Sequence, residues 1–312
     1  LLGHDEYLNT LYDYIWSTCE ETGWVLPQVE HLGIELRAVS TAMDLAEIVE
    51  GLGDRLEDRL IDRIRQEIET RIFTPYLEDP DSYWWYKGYN NWNGVCNGAV
   101  GTAFLLLEED DDRLARAVAT VLEGLETFLN VAFTEDGGSE EGPGYWQYGM
   151  SNLIAFSEAL RQRSGGEIDL LATERVREIA AYPPKVMLSP GHYFSYSDSS
   201  EESAFHPGLV QRLAERSGVE EVLDILAAPG GLQAGSRRFH EMWRALMWWD
   251  GTRPDAVEVG DAVLPATEVV RLTGATPDGA PVVVAAKASH NAAIHNQNDV
   301  GVFVLHVDGE TF

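Results

Sequence analysis

The stretch HNQNDVG, which runs from His295 to Gly301, lies between two apolar runs that alternate with a period of two. The flanking runs, Pro281–Ala286 and Val302–Val307, are rich in valine and predict a pair of β-strands. Asparagine and aspartate are disfavoured in strands, so folding of the pair does not require so polar a connection. A hairpin corner whose side chains bond to nearby backbone is one explanation. A functional site is the other.

Upstream of this region, from Leu1 to about Asp250, the pattern is helical. One charged segment carries an apolar residue at every fourth position, at Leu56, Leu60, Ile64, Ile68 and Ile72. Further helices are predicted at Tyr7–Trp16, Leu36–Val49, Gly94–Leu107, Leu114–Phe128, Met150–Arg161, Leu209–Arg216 and Phe239–Trp248. Many helices joined by loops that contain glycine and proline are typical of an α/α toroid or another helical array.

The pattern changes between Asp250 and Pro265, where β-branched residues become frequent. Runs at Glu268–Leu272, Val282–Ala286 and Val302–Val307 predict strands, and Asp-Gly pairs between and after them mark tight turns. We therefore predict an α+β multidomain chain with a helical domain over residues 1–255 and the start of an antiparallel β-sheet domain over residues 256–312. Because the sequence opens at Leu1 without a methionine, we expect it to be part of a longer protein.

The chain is strongly acidic, with 52 Asp and Glu residues, 22 Lys and Arg residues and a net charge of −30. The acids are spread along the sequence, which favours a solvated acidic surface. Such a surface repels itself unless salt screens it, so we predict adaptation to high salt. No basic stripe is present that would neutralise phosphates, and nucleic acid is excluded as an expected partner.

The sequence contains no apolar run near the ~18–20 residues of a membrane span. Its two cysteines, Cys19 and Cys96, are too few for a disulfide framework or a cysteine metal cluster. Neither feature indicates an oligomeric state, which the sequence leaves open.

A first polar cluster, Tyr89-Asn90-Asn91-Trp92-Asn93 followed by Asn97, lies at the start of an apolar helical run. Asn93 as a helix N-cap is the structural explanation, but several asparagines and a tryptophan exceed what one cap requires. Amides that bind hydroxyls or a carboxylate, beside an indole face that stacks on a ring, suit a sugar site.

A second cluster, DGGSEEGPGYWQYG, covers residues 136–149. Its glycines are typical of a loop, and its aromatic residues are typical of the start of a buried helix. If the segment is functional, a glycine-rich turn lets the hydroxyls of Tyr145 and Tyr148 approach a ligand closely.

Taken together and in order, the runs NNWNGVCNG, DGGSEEGPGYWQYG and SHNAAIHNQNDVGVFVLHVDGE resemble the heparinase II/III-like polysaccharide lyases. The resemblance covers roughly Asp62 to Phe312. It implies a helical α/α toroid followed by an antiparallel β-sandwich domain. It also implies β-elimination on uronic-acid-containing polysaccharides such as glycosaminoglycans or alginate, and a secreted or cell-envelope location.

The resemblance also implies residue roles. Asn91 corresponds to the group that neutralises the substrate carboxylate, Tyr145 to the acid/base tyrosine and His295 to the histidine from the β-domain. Such chemistry needs a masked carboxylate, a base and an acid, and a tyrosine base needs its pKa lowered by positive charge. His295 would supply that charge or act as the base itself. We predict that the helical and β regions meet at a cleft containing all three residues.

Further residues are predicted to bind substrate. Tyr148 and Asn90 compete with their neighbours Tyr145 and Asn91 for the main roles. Arg237, Arg238, His240 and Arg244 form the only concentrated basic segment, which is either a helix face paired with acids or a site for substrate carboxylate or sulfate. The full predicted substrate-binding set is Asn90, Trp92, Tyr148, Arg238, His290 and Asn298.

The chain departs from the family pattern at two positions. Trp92 stands where many relatives have a histidine, and Gln297 stands where a second histidine can bind zinc. A neutral amide is a poor zinc ligand, so we expect no metal and no cofactor.

Two other functions compete with a lyase. An α/α-toroid glycoside hydrolase would use Asp136, Glu140 or Glu141 as paired carboxylates. A non-catalytic polysaccharide-binding protein would tolerate the altered Gln297. The unsaturated product of a lyase absorbs ultraviolet light, whereas the product of a hydrolase does not. Binding without any product would favour the non-catalytic protein.

Overall fold

A computed structural model describes residues 5–228, 238–295 and 300–312. Helices occupy most of the chain as far as Trp248, and strands of a single larger sheet follow from Ala262. The longer helices are α1 (Leu8–Glu20), α2 (Leu36–Leu52), α3 (Asp58–Ile68), α4 (Asn91–Leu107), α5 (Asp111–Val131), α6 (Pro143–Arg163), α7 (Glu174–Ala180), α8 (Pro207–Ser217) and α9 (Phe239–Trp248).

Helix α4 lies at the centre of the helical region and packs against α2, α5 and α6. Nearly all of its side chains are buried, which matches its apolar sequence without a polar face. Close approach depends on Gly98, where a Cβ atom would lie 2.7 Å from the backbone of Asn152 on α6. Any larger residue at Gly98 would push these two helices apart.

Several helices differ in their bounds from the sequence prediction. The amphipathic segment predicted to run to Ile72 is α-helical only to Ile68, and a wider π-helical turn, Glu69–Phe73, follows. Helix α6 begins at Pro143 rather than Met150, because proline is well tolerated in the first helical turn. Tyr145 and Tyr148 therefore lie on a helix, as the structural explanation of this segment predicted, and not on a glycine-rich turn.

The larger sheet is an antiparallel meander of five strands in sequence order. Following a short hairpin of β1 (Met187–Ser189) and β2 (His192–Tyr193), its strands are β3 (Ala262–Leu264), β4 (Val269–Ala275), β5 (Pro281–Lys287), β6 (Val302–Val307) and β7 (Glu310–Thr311). In the register, Leu272 pairs with Val284, and Val284 pairs with Leu305. These three side chains share the outer, exposed face of the sheet.

The inner face of the sheet packs on the helical region through buried polar side chains. Arg271 on β4 donates to the carbonyl oxygens of Pro184 and Met187 at 2.6 and 2.8 Å. Lys287 on β5 donates to the carbonyl oxygen of Thr267 at 2.7 Å and lies over the ring of Tyr196. These bonds fix the orientation of the sheet, and with it the connection that leads to His295.

Across the described ranges, no helix combines the length and apolar character that a membrane crossing would need.

Candidate active site

Asn91 is the first residue of α4 and is buried. The N-cap is Asn90, whose side-chain oxygen accepts a hydrogen bond from the backbone N–H of Trp92 at 3.2 Å, so the prediction that Asn93 caps the helix is wrong. The backbone N–H of Asn91 donates to Oε2 of Glu141 at 3.2 Å. Among the described residues the side-chain amide of Asn91 has no hydrogen-bond partner, and it is available to a ligand.

Other asparagines of this cluster serve the fold. The amide of Asn93 donates to the carbonyl oxygens of Gly88 and Gly124, both at 2.9 Å. Asn97 accepts from the hydroxyl of Tyr76 at 2.7 Å. Both amides are completely buried, and such groups must be hydrogen-bonded to be tolerated. Among the described asparagines of this cluster, Asn91 alone combines burial with an unused side-chain amide.

Glu141 stands at the centre of the site although it ends a surface loop. The next residue, Gly142, has a φ of +84°, a conformation that favours glycine. This turn directs the carboxylate inward, where Glu141 is 4% exposed. Burial raises the pKa of Glu141, and the bond from the Asn91 backbone and the nearby His295 oppose that shift.

Tyr145 lies on the first turns of α6, and its ring stacks on the imidazole of His295. The ring centroids are 4.9 Å apart and the planes differ by 6°. Burial raises the pKa of Tyr145, and the carboxylates of Asp198 and Glu141 raise it further. This direction is opposite to the lowering that a tyrosine base needs, so the surroundings favour a tyrosine that keeps its proton.

His295 stands between two carboxylates. Its Nδ1 lies 2.9 Å from Oδ2 of Asp198, and its Nε2 lies 3.2 Å from Oε1 of Glu141. The second contact is not aligned for a hydrogen bond, because Oε1 of Glu141 is buried without a hydrogen-bond partner in the described structure. That contact is therefore electrostatic. The His295 side chain is 35% exposed, so its ring is reachable from solvent.

The structure thus brings the three residues with predicted main roles to one place. Tyr145 contacts His295 directly, and Glu141 connects His295 to the backbone of Asn91. These residues come from three separate segments of the chain, two helical and one from the connection between β5 and β6.

Tyr148 does not share this arrangement. Its ring faces the guanidinium of Arg238, whose central carbon lies 3.8 Å from the ring centroid, a close cation–π contact. Burial raises the pKa of Tyr148, and Arg238 opposes the shift. Arg238 also pairs with Glu241 at 3.3 Å and keeps 41% of its side chain exposed. Tyr148 and Arg238 form a separate pair beside the site.

The remaining predicted substrate-binding residues lie at its edges. Trp92 packs on the half-exposed Trp84 with ring centroids 5.0 Å apart. His290 is exposed, and its Nε2 is 3.8 Å from Oε1 of Glu140. Asn298, together with Gln297 and Arg237, lies outside the described residues.

The functional interpretation of the basic segment is wrong for its members on α9. Arg244 is buried and pairs with Glu47 at 2.5 Å. Burial lowers the pKa of His240 to about 3, and Arg244 lowers it as well, so His240 is neutral at ordinary pH. Both residues belong to the packing between α9 and α2, and Arg238 remains the accessible cation of this segment within the described structure.

Asp136 joins the helical region to the sheet. Its Oδ1 accepts from the hydroxyls of Thr134 and Thr267 at 2.7 and 2.6 Å, and its Oδ2 accepts from the backbone N–H of Ala266 at 2.7 Å. Burial raises the pKa of Asp136, but these hydrogen bonds outweigh burial, and the pKa is lowered overall. A carboxylate held in this way is a poor proton donor, so Asp136 does not suit the acid role of a glycoside hydrolase.

No group of three or more His, Cys, Asp or Glu residues in the described ranges is arranged to hold a metal ion. The donor set therefore does not fit a zinc site there, and the expectation of no metal remains a prediction.

Sequence reasoning missed the part that Asp198 plays and the central position of Glu141. Asp198 lies in the segment YSDSS, which carries no periodic pattern. Glu141 was considered only as a hydrolase carboxylate. Gly142 could have indicated the position of Glu141, since a glycine directly after an acidic residue often marks a turn of the backbone.

No protein-family model matches this sequence, and a search of curated proteins gives no match. Two solved structures are similar in fold. One is a crystal structure of heparinase III, with a TM-score of 0.62 and 16% identity, covering 100% of this chain and 47% of that chain. The other is a heparinase III with methylated lysines, with a TM-score of 0.54 and 13% identity, covering 96% of this chain and 45% of that chain.

This chain spans about half the length of both heparinase III structures. At such low identity the likeness shows the fold alone. The molecule has an α+β fold that resembles heparinase III, with its helices first and its larger antiparallel sheet last.

Proposed function

We propose that this chain carries the active site of a polysaccharide lyase that cleaves a uronic-acid-containing polymer, of the glycosaminoglycan or alginate type, by β-elimination. The single observation that carries the proposal is the stack of Tyr145 on His295, which Glu141 links to the backbone N–H of Asn91, the residue whose side-chain amide is unused. An acid, a base and a carboxylate-binding amide are the groups that this reaction requires. Similarity in fold to heparinase III supports the same class.

Asn91 is assigned to the substrate carboxylate. The C5 proton of a uronic acid becomes acidic only when charge that develops on the adjacent carboxylate is stabilised by hydrogen bonds or cations. The amide of Asn91 can donate such bonds from a buried position. Since buried donors act in a medium of lower dielectric constant, they stabilise the developing charge more strongly than the same donors in water.

His295 is assigned as the base and Tyr145 as the acid. The raised pKa of Tyr145 favours the protonated hydroxyl that must donate to the leaving oxygen. Asp198 and Glu141 stabilise the imidazolium that forms when His295 accepts the C5 proton. The C4–O4 bond breaks as the C4–C5 double bond forms, and the proton passes from His295 through water to the Tyr145 oxygen after product leaves.

Arg238 is assigned to a neighbouring part of the polymer. The protein carries a net charge of −30, so a polyanion needs a local cation to be held. Arg238 is half-exposed beside Tyr148, and a guanidinium binds carboxylate or sulfate groups well.

Finer features of the fold belong to the same proposal. We infer an α/α toroid over residues 1–255 and one layer of a β-sandwich over residues 256–312. The exposed apolar face of the larger sheet, at Leu272, Val284, Phe303 and Leu305, supports a sandwich because such a face is normally covered. A secreted or cell-envelope location is proposed from the family resemblance.

The proposal is tested by incubating the protein with a panel of uronic-acid polymers and a neutral polysaccharide, at low and molar salt, while ultraviolet absorbance is followed. We expect absorbance to rise with at least one uronic-acid polymer and not with the neutral one. His295→Gln should remove the signal, and His31→Gln, which replaces an exposed histidine in another part of the chain, should keep it. Cleavage without ultraviolet absorbance would favour a hydrolase, and binding without cleavage would favour a non-catalytic protein.

A further inference from the structure

The segment Ser197-Asp198-Ser199, here called the serine–aspartate loop, lies between two parts of the candidate site. On one side it packs on Gly142, where a Cβ atom would lie 2.5 Å from the Ser199 Cβ. On the other side it contacts the connection that carries His295. The loop therefore touches both the segment that holds Glu141 and the segment that holds His295.

The loop holds His295 by its backbone as well as its ring. The hydroxyl of Ser197 donates to the carbonyl oxygens of Ile294 and His295 at 3.0 and 3.2 Å. The carboxylate of Asp198 lies 2.9 Å from Nδ1 of His295. Contacts to both the main chain and the side chain of one residue leave its ring little freedom.

The backbone at this contact is strained. Ser197 has a φ of +56° and His295 a φ of +54°, values in the left-handed region that cost energy for residues other than glycine. Strained residues that face each other persist only when surrounding contacts hold them, and they are concentrated at functional sites. In this case the surrounding contacts are the bonds made by the loop.

We propose that the serine–aspartate loop is a positioning element, in which Asp198 fixes the ring orientation of His295 and holds a proton on Nδ1. Glu141 lies on the opposite side of the ring, 3.2 Å from Nε2, and connects this part of the site to the backbone of Asn91. The inference rests on the proposed function, in which His295 is the base. Neither carboxylate is a catalytic residue, because each acts through His295.

The arrangement has a definite chemical consequence. A proton on Nδ1 facing Asp198 leaves Nε2 as the nitrogen that exchanges protons. The stack on Tyr145 keeps the acid and the base side by side. A general base must lie within hydrogen-bond reach of the proton that it takes. If the imidazole rotated or changed its tautomer, Nε2 could no longer accept the substrate proton.

The test uses three variants of the full chain. Asp198→Ala removes the partner of Nδ1, Asp198→Asn keeps an acceptor without the charge, and Glu202→Gln replaces an exposed carboxylate nearby as the control. The protonation of the two ring nitrogens is read from nitrogen resonances of isotope-labelled histidine. His295→Gln identifies the His295 signal among those of the eight histidines.

We expect Nδ1 of His295 to carry a proton in the unaltered protein and in Glu202→Gln, and to lose this preference in Asp198→Ala. In Asp198→Asn the preference for a proton on Nδ1 should be intermediate. This variant therefore reports the effect of the Asp198 charge even if Asp198→Ala folds poorly. On an accepted polymer, Asp198→Ala should lower kcat about 10- to 100-fold, a part of the roughly 10²–10⁴-fold that a general base contributes, with KM nearly unchanged.

Failure of this inference is distinguishable from failure of the proposed function. If no polymer is cleaved but the His295 resonances change in Asp198→Ala, the positioning role stands and the lyase assignment falls. If the enzyme is active while the His295 resonances and kcat are the same in both Asp198 variants as in the control, the positioning role is wrong.

Discussion

Two histidine clusters lie where the sheet meets the helical region, and they are built from the same types of residue. His295 is partly exposed and stands between Asp198 and Glu141. His306, on β6, is 2% exposed, and its ring nitrogens contact the hydroxyls of Ser189 and Thr311 at 3.0 and 2.7 Å.

The two clusters differ in whether their polar groups have hydrogen-bond partners. The hydroxyl of Thr311 donates in turn to Glu201 at 2.6 Å, so both ring nitrogens of His306 and the hydroxyl of Thr311 have hydrogen-bond partners. At His295, the oxygen of Glu141 is buried without a hydrogen bond, and the Asn91 amide has no partner in the described residues. Buried polar groups are normally paired. The open cluster therefore keeps polar groups that a ligand could bind, whereas the polar groups at His306 are used within the fold.

The largest expected effect is on turnover at the open cluster. Tyr145→Phe removes one hydroxyl and keeps the ring that stacks on His295, so it should lower kcat about 10²–10⁴-fold with little change in binding. Steady-state kinetics on a cleaved polymer, together with a direct binding measurement, would check this.

The companion variant Tyr148→Phe keeps the ring that faces Arg238. It should retain most of the turnover. Comparison of the two variants shows which tyrosine of α6 is the acid. If Tyr148→Phe were inactive and Tyr145→Phe active, the acid assignment would be one helical turn off. Full activity of both variants would refute the mechanism.

The next effect concerns a third junction, which is closed like that of His306. Asp136→Asn weakens bonds to Thr134, Thr267 and Ala266, and hydrogen bonds to charged groups contribute about 1.5–3 kcal/mol each. We expect a loss of about 2–3 kcal/mol in the free energy of unfolding, measured by denaturant titration. Glu135→Gln, at the exposed neighbouring acid, should change stability little. If Asp136→Asn were as stable as the control, Asp136 would not stabilise the contact between the helical region and the sheet.

A smaller effect should distinguish the closed histidine by its pH dependence. Burial lowers the pKa of His306, and His192 lowers it further. The unfolded state therefore binds the imidazole proton at a higher pH, about 6.5, than the folded state does, and stability falls as pH drops through the unfolded-state pKa.

His306→Gln should flatten this pH dependence and cost on the order of 1 kcal/mol at neutral pH through lost hydrogen bonds, with kcat unchanged. Melting temperatures of both proteins between pH 5 and 8 provide the measurement. A loss of turnover at unchanged stability would mean that the two clusters were assigned the wrong way round.

The smallest and most gradual effect is that of salt. Screening of a net charge of −30 should raise stability and the rate of encounter with a polyanion together, because the Debye length shortens from about 10 Å at 0.1 M to 3 Å at 1 M. Melting temperature and kcat/KM measured across this range would test it. Activity that falls while stability rises would instead indicate attraction by a local cation such as Arg238. Stability that is indifferent to salt would end the prediction of salt adaptation.

Periodic segments were predictable from sequence, and contacts between segments were not. The bounds of α9 and β6 agree with those read from the hydrophobic pattern, since packing of one face leaves a regular trace. The start of α6 was missed because Pro143 and Gly144 look like loop residues, although proline suits a first turn.

Within the site, local composition marked three polar clusters that folding did not explain, and the family resemblance selected Asn91, Tyr145 and His295 from them. Nothing local marks Asp198 as the partner of His295, because the two are far apart in the chain and meet only after the sheet docks. The raised pKa of Tyr145 was equally unpredictable, since it depends on burial and on carboxylates from other segments.

The central claim, that the open cluster breaks a glycosidic bond by elimination, is tested most directly by the fate of solvent oxygen. A uronic-acid polymer is incubated with the protein in water enriched in the heavy oxygen isotope, and the fragments are weighed by mass spectrometry. We predict unsaturated fragments without solvent oxygen from the unaltered protein and from His306→Gln, and none from His295→Gln. Saturated fragments that carry the heavy isotope would show hydrolysis and contradict the account.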